Sequence, residues 1–263
     1  MINLLSAEIY KLRKSKSFKV AAGLSVLFTT AIYLLQKLLL SGMAGNVDEA
    51  MIEEISNFNI SHMLQQMFGN CNTIIFVTIF VCLFTLGDYS SGAMKNIVGK
   101  GLRREEIYLA RFLVTEFGAV MIYLLTALTV FIGSVIVQGI KQINGAVLYD
   151  FISYLSLQIL YLTAYTAIII LVCEITRNTA GIFISILGVM LFSNIIFQGI
   201  DIVIKTAGAP FALSKYWITS VIASCPAADI PPQFITSSGI AAGVWLIVSL
   251  TAGMLCFSWK DVK

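Results

Sequence analysis

The chain has 263 residues, 58% of them hydrophobic and only 12% charged, with a net charge of +3 and a mean hydropathy of +0.90. Soluble globular domains carry about 25% charged residues, so this composition excludes an ordinary water-soluble enzyme or binding module. The chain holds a single histidine, His62, which removes most zinc chemistry and any serine–histidine triad from consideration.

The first element is a short amphipathic segment, residues 1–17. Ile2, Leu5, Ile9 and Leu12 recur at helical spacing, while Glu8, Lys11, Arg13 and Lys14 lie mostly around the other side. That pattern predicts a helix over Ile2–Lys16 lying flat in the membrane interface, with its lysines among anionic headgroups. Six apolar stretches follow, at 18–40, 71–87, 112–138, 151–173, 179–199 and 237–259. Each is long enough to cross a hydrocarbon core of about 30 Å as a helix. None alternates as barrel strands do, so the expected fold is an all-α polytopic membrane protein, one transmembrane domain over residues 1–263. The first apolar run is longer than the core of a cleavable signal peptide and follows an extended basic tail, so a retained helix is expected.

Thirteen of the 17 basic residues fall at one side of this arrangement, in the N-terminal tail, the 88–111 loop, the turn at Arg177 and the C-terminus. The positive-inside rule then places both termini in the cytoplasm of a cell-membrane protein. All four prolines, Pro210, Pro226, Pro231 and Pro232, lie between the fifth and sixth stretches. Between them Phe211–Cys225 is apolar and aromatic but too short to span, which predicts short outer re-entrant helices before the last crossing. Of the five cysteines none forms a CxxC pair, so no metal site is expected; a bridge between Cys71 and Cys225 at the outer side stays open.

No GxxxxGK[ST] occurs, so the chain has no phosphate-binding loop of its own. Glu105 and Glu106 are followed by Arg111 in a pattern close to the EExxxR of an intramembrane protease family, but the spacing is one residue too long and membrane-embedded histidines are absent. Glu116, inside the third stretch, is the intramembrane ionisable group; it is either the acid of a self-contained secondary transporter or channel, or a structural partner of Arg111. The Gly239–Gly243 and Ser249–Gly253 patches allow close helix approach, within the chain or with a second copy. The 88–111 loop, punctuated by Gly92, Gly99 and Gly101 and rich in charge, reads as a short helix, a turn and a second helix leading into the third stretch, a cytoplasmic element suited to docking a soluble partner.

In that loop Asp88-Tyr89-x-x-Gly92-Ala93-x-Lys95, followed by the basic turn at Arg103 and Arg104, resembles the permease subunit of type-two ATP-binding cassette exporters. It is similar in particular to the small bacterial permeases of bacitracin or lantibiotic immunity and export. Tyr89, Gly92 and Lys95 match the family pattern, while Asp88 stands for its Glu and Ala93 for its Thr. The resemblance implies a transport subunit, not an enzyme, that exports a hydrophobic or amphipathic substrate such as a peptide antibiotic, lipid or drug. It implies that 1–17 is an elbow helix and 88–111 a coupling loop. It also implies that Asn96, Lys100, Arg103, Arg104, Glu105 and Glu106 contact a separate ATPase subunit, which carries the ATP and magnesium. A second permease copy or a sister permease and membrane lipid complete the expected partners, with no nucleic acid among them.

Overall fold

The structure is a computed structural model that describes residues 2–43, 60–70, 72–92, 94, 97, 99, 103–138, 144–178, 180–206, 208 and 211–259. Helix α1 (Ile2–Lys14) is followed at once by α2 (Lys16–Met43). Ser15 separates them: its hydroxyl accepts from the Phe18 amide at 3.3 Å and caps the start of α2. Then come α3 (Ile60–Leu64), continued by a π-helical turn (Gln65–Gly69), and α4 (Asn72–Ser90). The long helices α5 (Arg104–Gln138) and α6 (Gly145–Thr176) follow. The fifth crossing is α7 (Ala180–Phe183), a π-helical stretch (Ile184–Phe192) and α8 (Ser193–Thr206). A 3-10 turn (Ser214–Tyr216), α9 (Ile218–Ser224) and α10 (Pro232–Trp259) complete the chain. No strand occurs among the described residues, and six helical runs are long and apolar enough to cross a membrane. The fold is an all-α polytopic membrane protein.

The helices outrun the apolar stretches at several ends. The second crossing is helical from Ile60 rather than 71, because Met63, Leu64, Met67 and Phe68 are buried although His62, Gln65 and Gln66 break the apolar run. The third begins at Arg104 rather than 112, so the charged 104–106 segment is the first turn of α5 and not part of a separate loop helix. The sixth begins at Pro232, whose missing N–H and preset φ suit the first helical position.

The crossings beginning at Ile60 and Gly145 are the most buried. α2 packs on α4 and α5, α1 on α5, and α10 along the length of α6. Lipid tails are as apolar as leucine, so close fit and interhelical hydrogen bonds decide which faces meet. Tyr33 donates to the Val130 carbonyl at 2.8 Å, Thr78 and Tyr165 share a hydrogen bond at 2.6 Å, and so do Tyr161 and Ser238. Gly118 and Gly133 admit the Phe80 and Tyr33 rings. In α10 the two small-residue patches divide: Gly253 faces Tyr108, whereas among the described residues nothing outside the local helix backbone lies within 4 Å of where a Cβ would sit on Gly239 or Gly243.

At the end of the bundle away from α1, the short helical pieces form where the proline-bounded segment predicts them. Trp217 stacks on Phe197 at 4.7 Å and meets Trp245 edge-on at 4.8 Å. Asp201 accepts from the backbone amides of Leu213 and Ser214. Gln65 and Gln158 donate to the Ala223 and Ile222 carbonyls, satisfying the open end of α9. Burial pushes the Cys225 thiol up to about 12; Cys71 lies outside the described residues.

A Cβ on Gly118 would lie 2.6 Å from Phe80 Cζ and 3.0 Å from Leu12 Cδ1, and the Phe80 ring is itself fixed against Phe18 and Phe84. Gly118→Val should therefore destabilise the bundle by about 1–3 kcal/mol, read as a lowered unfolding midpoint in detergent. An unchanged midpoint would mean that α4 and α5 do not approach this closely.

Candidate functional site

Charged side chains collect at the basic end of the bundle, where four helices bring one or two each. The last turn of α4 supplies Asp88 and Tyr89, α5 supplies Arg111, the last turn of α6 supplies Glu174, and α1 supplies Glu8 and Lys11. Arg177 follows α6 in the left-handed region at φ 50°, its amide donating to the Cys173 carbonyl at 2.8 Å.

Arg111 stands at the centre, 1% exposed. Its Nη1 donates to Glu174 Oε1 at 2.7 Å, its Nη2 donates to the Thr85 carbonyl, and its Nε lies 3.5 Å from Asp88 Oδ2. The second oxygen of Glu174 accepts from the Tyr89 hydroxyl and lies 3.9 Å from Arg177 Nε. Lys11 Nζ is 2.6 Å from the Asp88 carboxylate and 3.4 Å from Glu8, and it sits over the Phe84 ring at 4.0 Å. The Tyr89 ring lies about 5 Å from the guanidinium carbons of both Arg111 and Arg177. Three cations and three carboxylates thus form one charge-balanced cluster, buried at Arg111, Glu174 and Asp88 and open to the surface at Lys11. A buried charge in a membrane bundle is costly unless paired, so each member depends on the others.

No group of three or more His, Cys, Asp or Glu side chains suited to a metal occurs among the described residues. The arrangement is mechanical: it fastens α1, the end of α4, α5 and the end of α6 together.

The residues singled out in the sequence are placed as follows. Arg103 and Glu105 are exposed beside this cluster, and Glu106 is half-buried. Arg104 is half-buried and donates to the Ser258 carbonyl at 2.7 Å, so it caps the end of α10 and is only in part available to a partner. Asn96 and Lys100 lie outside the described residues. Glu116 is buried, but it does not pair with Arg111. Five residues along a helix is about 140° around it, so Glu116 faces α6, where the Thr166 hydroxyl donates to its Oε2; its Oε1 has no hydrogen-bond partner.

Lys11 and Glu174 were legible only in outline. Lys11 reads as one of several interfacial lysines and Glu174 as a charge at a span end, with Arg177 three residues on as the one local hint of pairing. On α1 the buried face is Leu4, Leu5, Glu8 and Leu12, with Ile9 half exposed. The apolar stripe therefore differs from the Ile2-Leu5-Ile9-Leu12 set by a turn of the helix that brings Glu8 and Lys11 toward Asp88.

Six crossings with an ion cluster at one end define a multi-pass α-helical membrane protein. The family model of ABC-2 family transporter proteins matches residues 4–194, which includes every member of the cluster. The chain belongs to that family. No curated protein matches it.

Removing one partner of a buried ion pair costs about 3–5 kcal/mol, against about 1 kcal/mol for an ordinary hydrogen bond. Glu174→Gln, which leaves Arg111 short of an anion, should lower the unfolding midpoint in detergent far more than Tyr89→Phe. Equal effects of the two substitutions would mean that the cluster does not hold the helices together.

Proposed function

We propose that this chain is the membrane permease of an ATP-driven exporter, energised through its cytoplasmic 91–103 loop and the first turn of α5 by a separate ATPase subunit. The observation that carries this reading is the position of the charge cluster: the loop follows Asp88-Tyr89 at the end of α4 and leads into α5, which carries Arg111, and both sides are tied to Glu174 and, through Lys11, to α1. A push on the loop is then delivered to four helices together, which suits a rigid-body switch between two packings. Arg103 and Glu105, exposed at the root of the loop, are the contacts for the ATPase, and Glu106 supports them; Arg104 serves α10 as well. ATP and magnesium are held by the partner.

A second permease, a copy or a sister chain, completes the pathway. The open Gly239–Gly243 face of α10 supports such a contact. Both termini and the loop lie in the cytoplasm, as the basic bias directs. The substrate is hydrophobic or amphipathic, a peptide antibiotic, lipid or drug, and the loop motif favours the bacitracin and lantibiotic immunity class among them.

A second reading rests on Glu116, whose buried Oε1 lacks a partner. An unpaired intramembrane carboxyl is a feature of secondary carriers, and activity in liposomes without any ATPase, lost in Glu116→Gln, would favour that reading.

The deciding experiment is affinity purification of the tagged chain from native membranes, with mass spectrometry and an ATP hydrolysis assay. A nucleotide-binding subunit should co-purify. Arg103→Glu combined with Glu105→Lys should insert and purify normally yet lose the associated hydrolysis. Purification of the chain alone, or full hydrolysis by the double variant, would overturn the coupling assignment.

A further inference from the structure

The face of the bundle beside the Ser15 junction carries two confluent depressions. One is a basin of about 460 Å³ between the α1–α2 junction and the end of α4, with Lys11, Lys14, Ser15, Asp88 and Ser91 in its wall. The other is a groove of about 320 Å³ between α2 and α4, with Lys16 at its rim and Val20, Leu24, Phe76 and Ile79 along its length. Ser17 and Leu83 line both, so the polar basin runs directly into the apolar groove. Each is within the size range of small-molecule sites.

The charges around the basin are unequally engaged. Asp88 is held by Lys11 and Arg111, and Glu8 by Lys11. Lys14 and Lys16 are exposed; Lys14 rests against the Tyr10 ring at 4.7 Å, and no carboxylate lies within ion-pair distance of either in the salt bridges formed by the described residues. Between them, the Ser15 and Ser17 hydroxyls share a single hydrogen bond at 2.6 Å, which leaves one hydroxyl proton to donate elsewhere. Below this polar rim the groove walls are apolar, and Val20, Leu24 and Leu83 are each about half exposed along it.

We infer that this composite site binds an anionic phospholipid from the leaflet on the basic side of the bundle. Its phosphate sits between Lys14 and Lys16 with a serine hydroxyl as donor, and one acyl chain lies in the groove between α2 and α4. Charge complementarity selects the headgroup, since two cations flank the site and the carboxylates facing it are already paired. The groove selects a lipid over a free phosphate, because a headgroup alone would leave its apolar walls uncovered. Lys14 belongs to α1 and Lys16 to α2, so the bound lipid bridges Ser15 and holds the angle at which α1 delivers Lys11 to Asp88.

The test is competition between phosphatidylglycerol and phosphatidylcholine of identical acyl chains for the purified full-length chain, followed by native mass spectrometry. Two juxtaposed lysines should favour phosphatidylglycerol by about thirtyfold. Lys14→Gln with Lys16→Gln, both exposed and neutral to folding, should bring the ratio close to one. Leu24→Trp, which fills the groove and keeps both charges, should reduce retention of either lipid, and glycerol 3-phosphate should not displace the bound lipid. Equal retention of the two lipids by the unaltered chain would overturn the inference without recourse to any variant. So would a preference that survives the double glutamine substitution, or displacement by glycerol 3-phosphate, which would indicate a phosphate site only.

Discussion

A guanidinium cannot remain inside a membrane-spanning bundle without anions to hold it, and Arg111 is held by two, from two different crossings. Glu174 and Asp88 reach it from α6 and α4, and Lys11 joins Asp88 to α1. Away from water such pairs are strong and their unpaired members are costly. The four helices are therefore held in one relative arrangement at this end. The family pattern around Asp88 and Tyr89 acquires a physical meaning here: the acid anchors Lys11 and Arg111, and the aromatic supplies both a ring between two guanidinium groups and a hydroxyl for Glu174.

Away from the cluster the bundle is held by fit. Gly118, Gly133 and Gly253 admit aromatic rings that any larger residue would displace, and buried threonines return their hydroxyls to their own helices, as Thr78 does to Ile74 and Thr126 to Ile122. The crossings beginning at Ile60 and Gly145 are the most buried, while α2, the fifth crossing and α10 keep broad apolar faces outward. The open Gly239–Gly243 surface belongs to these outward faces.

The N-terminal helix links these two regimes. Its buried edge enters the ion cluster through Glu8 and Lys11 and the packed core through Leu12, while Tyr10 and Lys14 face outward. Force applied at the loop and the composition of the surrounding leaflet would therefore meet at the same short helix.

The sequence by itself determined the class, the number of crossings and the side on which positive charge accumulates, because apolar run length and loop charge are local properties that the bilayer reads directly. It also determined the short helical segment bounded by prolines before α10. Helix ends were less legible where polar residues such as His62, Gln65 and Arg104 lie on helical turns that packing, and not hydropathy, makes favourable. Only the tertiary structure decided that Arg111 pairs with Glu174, 63 residues away, that Glu116 turns instead to Thr166, and that α1 buries Glu8 and exposes Ile9. Each of these depends on the rotation of one helix against another. That rotation is set by the whole set of interhelical contacts, which no local pattern of residues encodes.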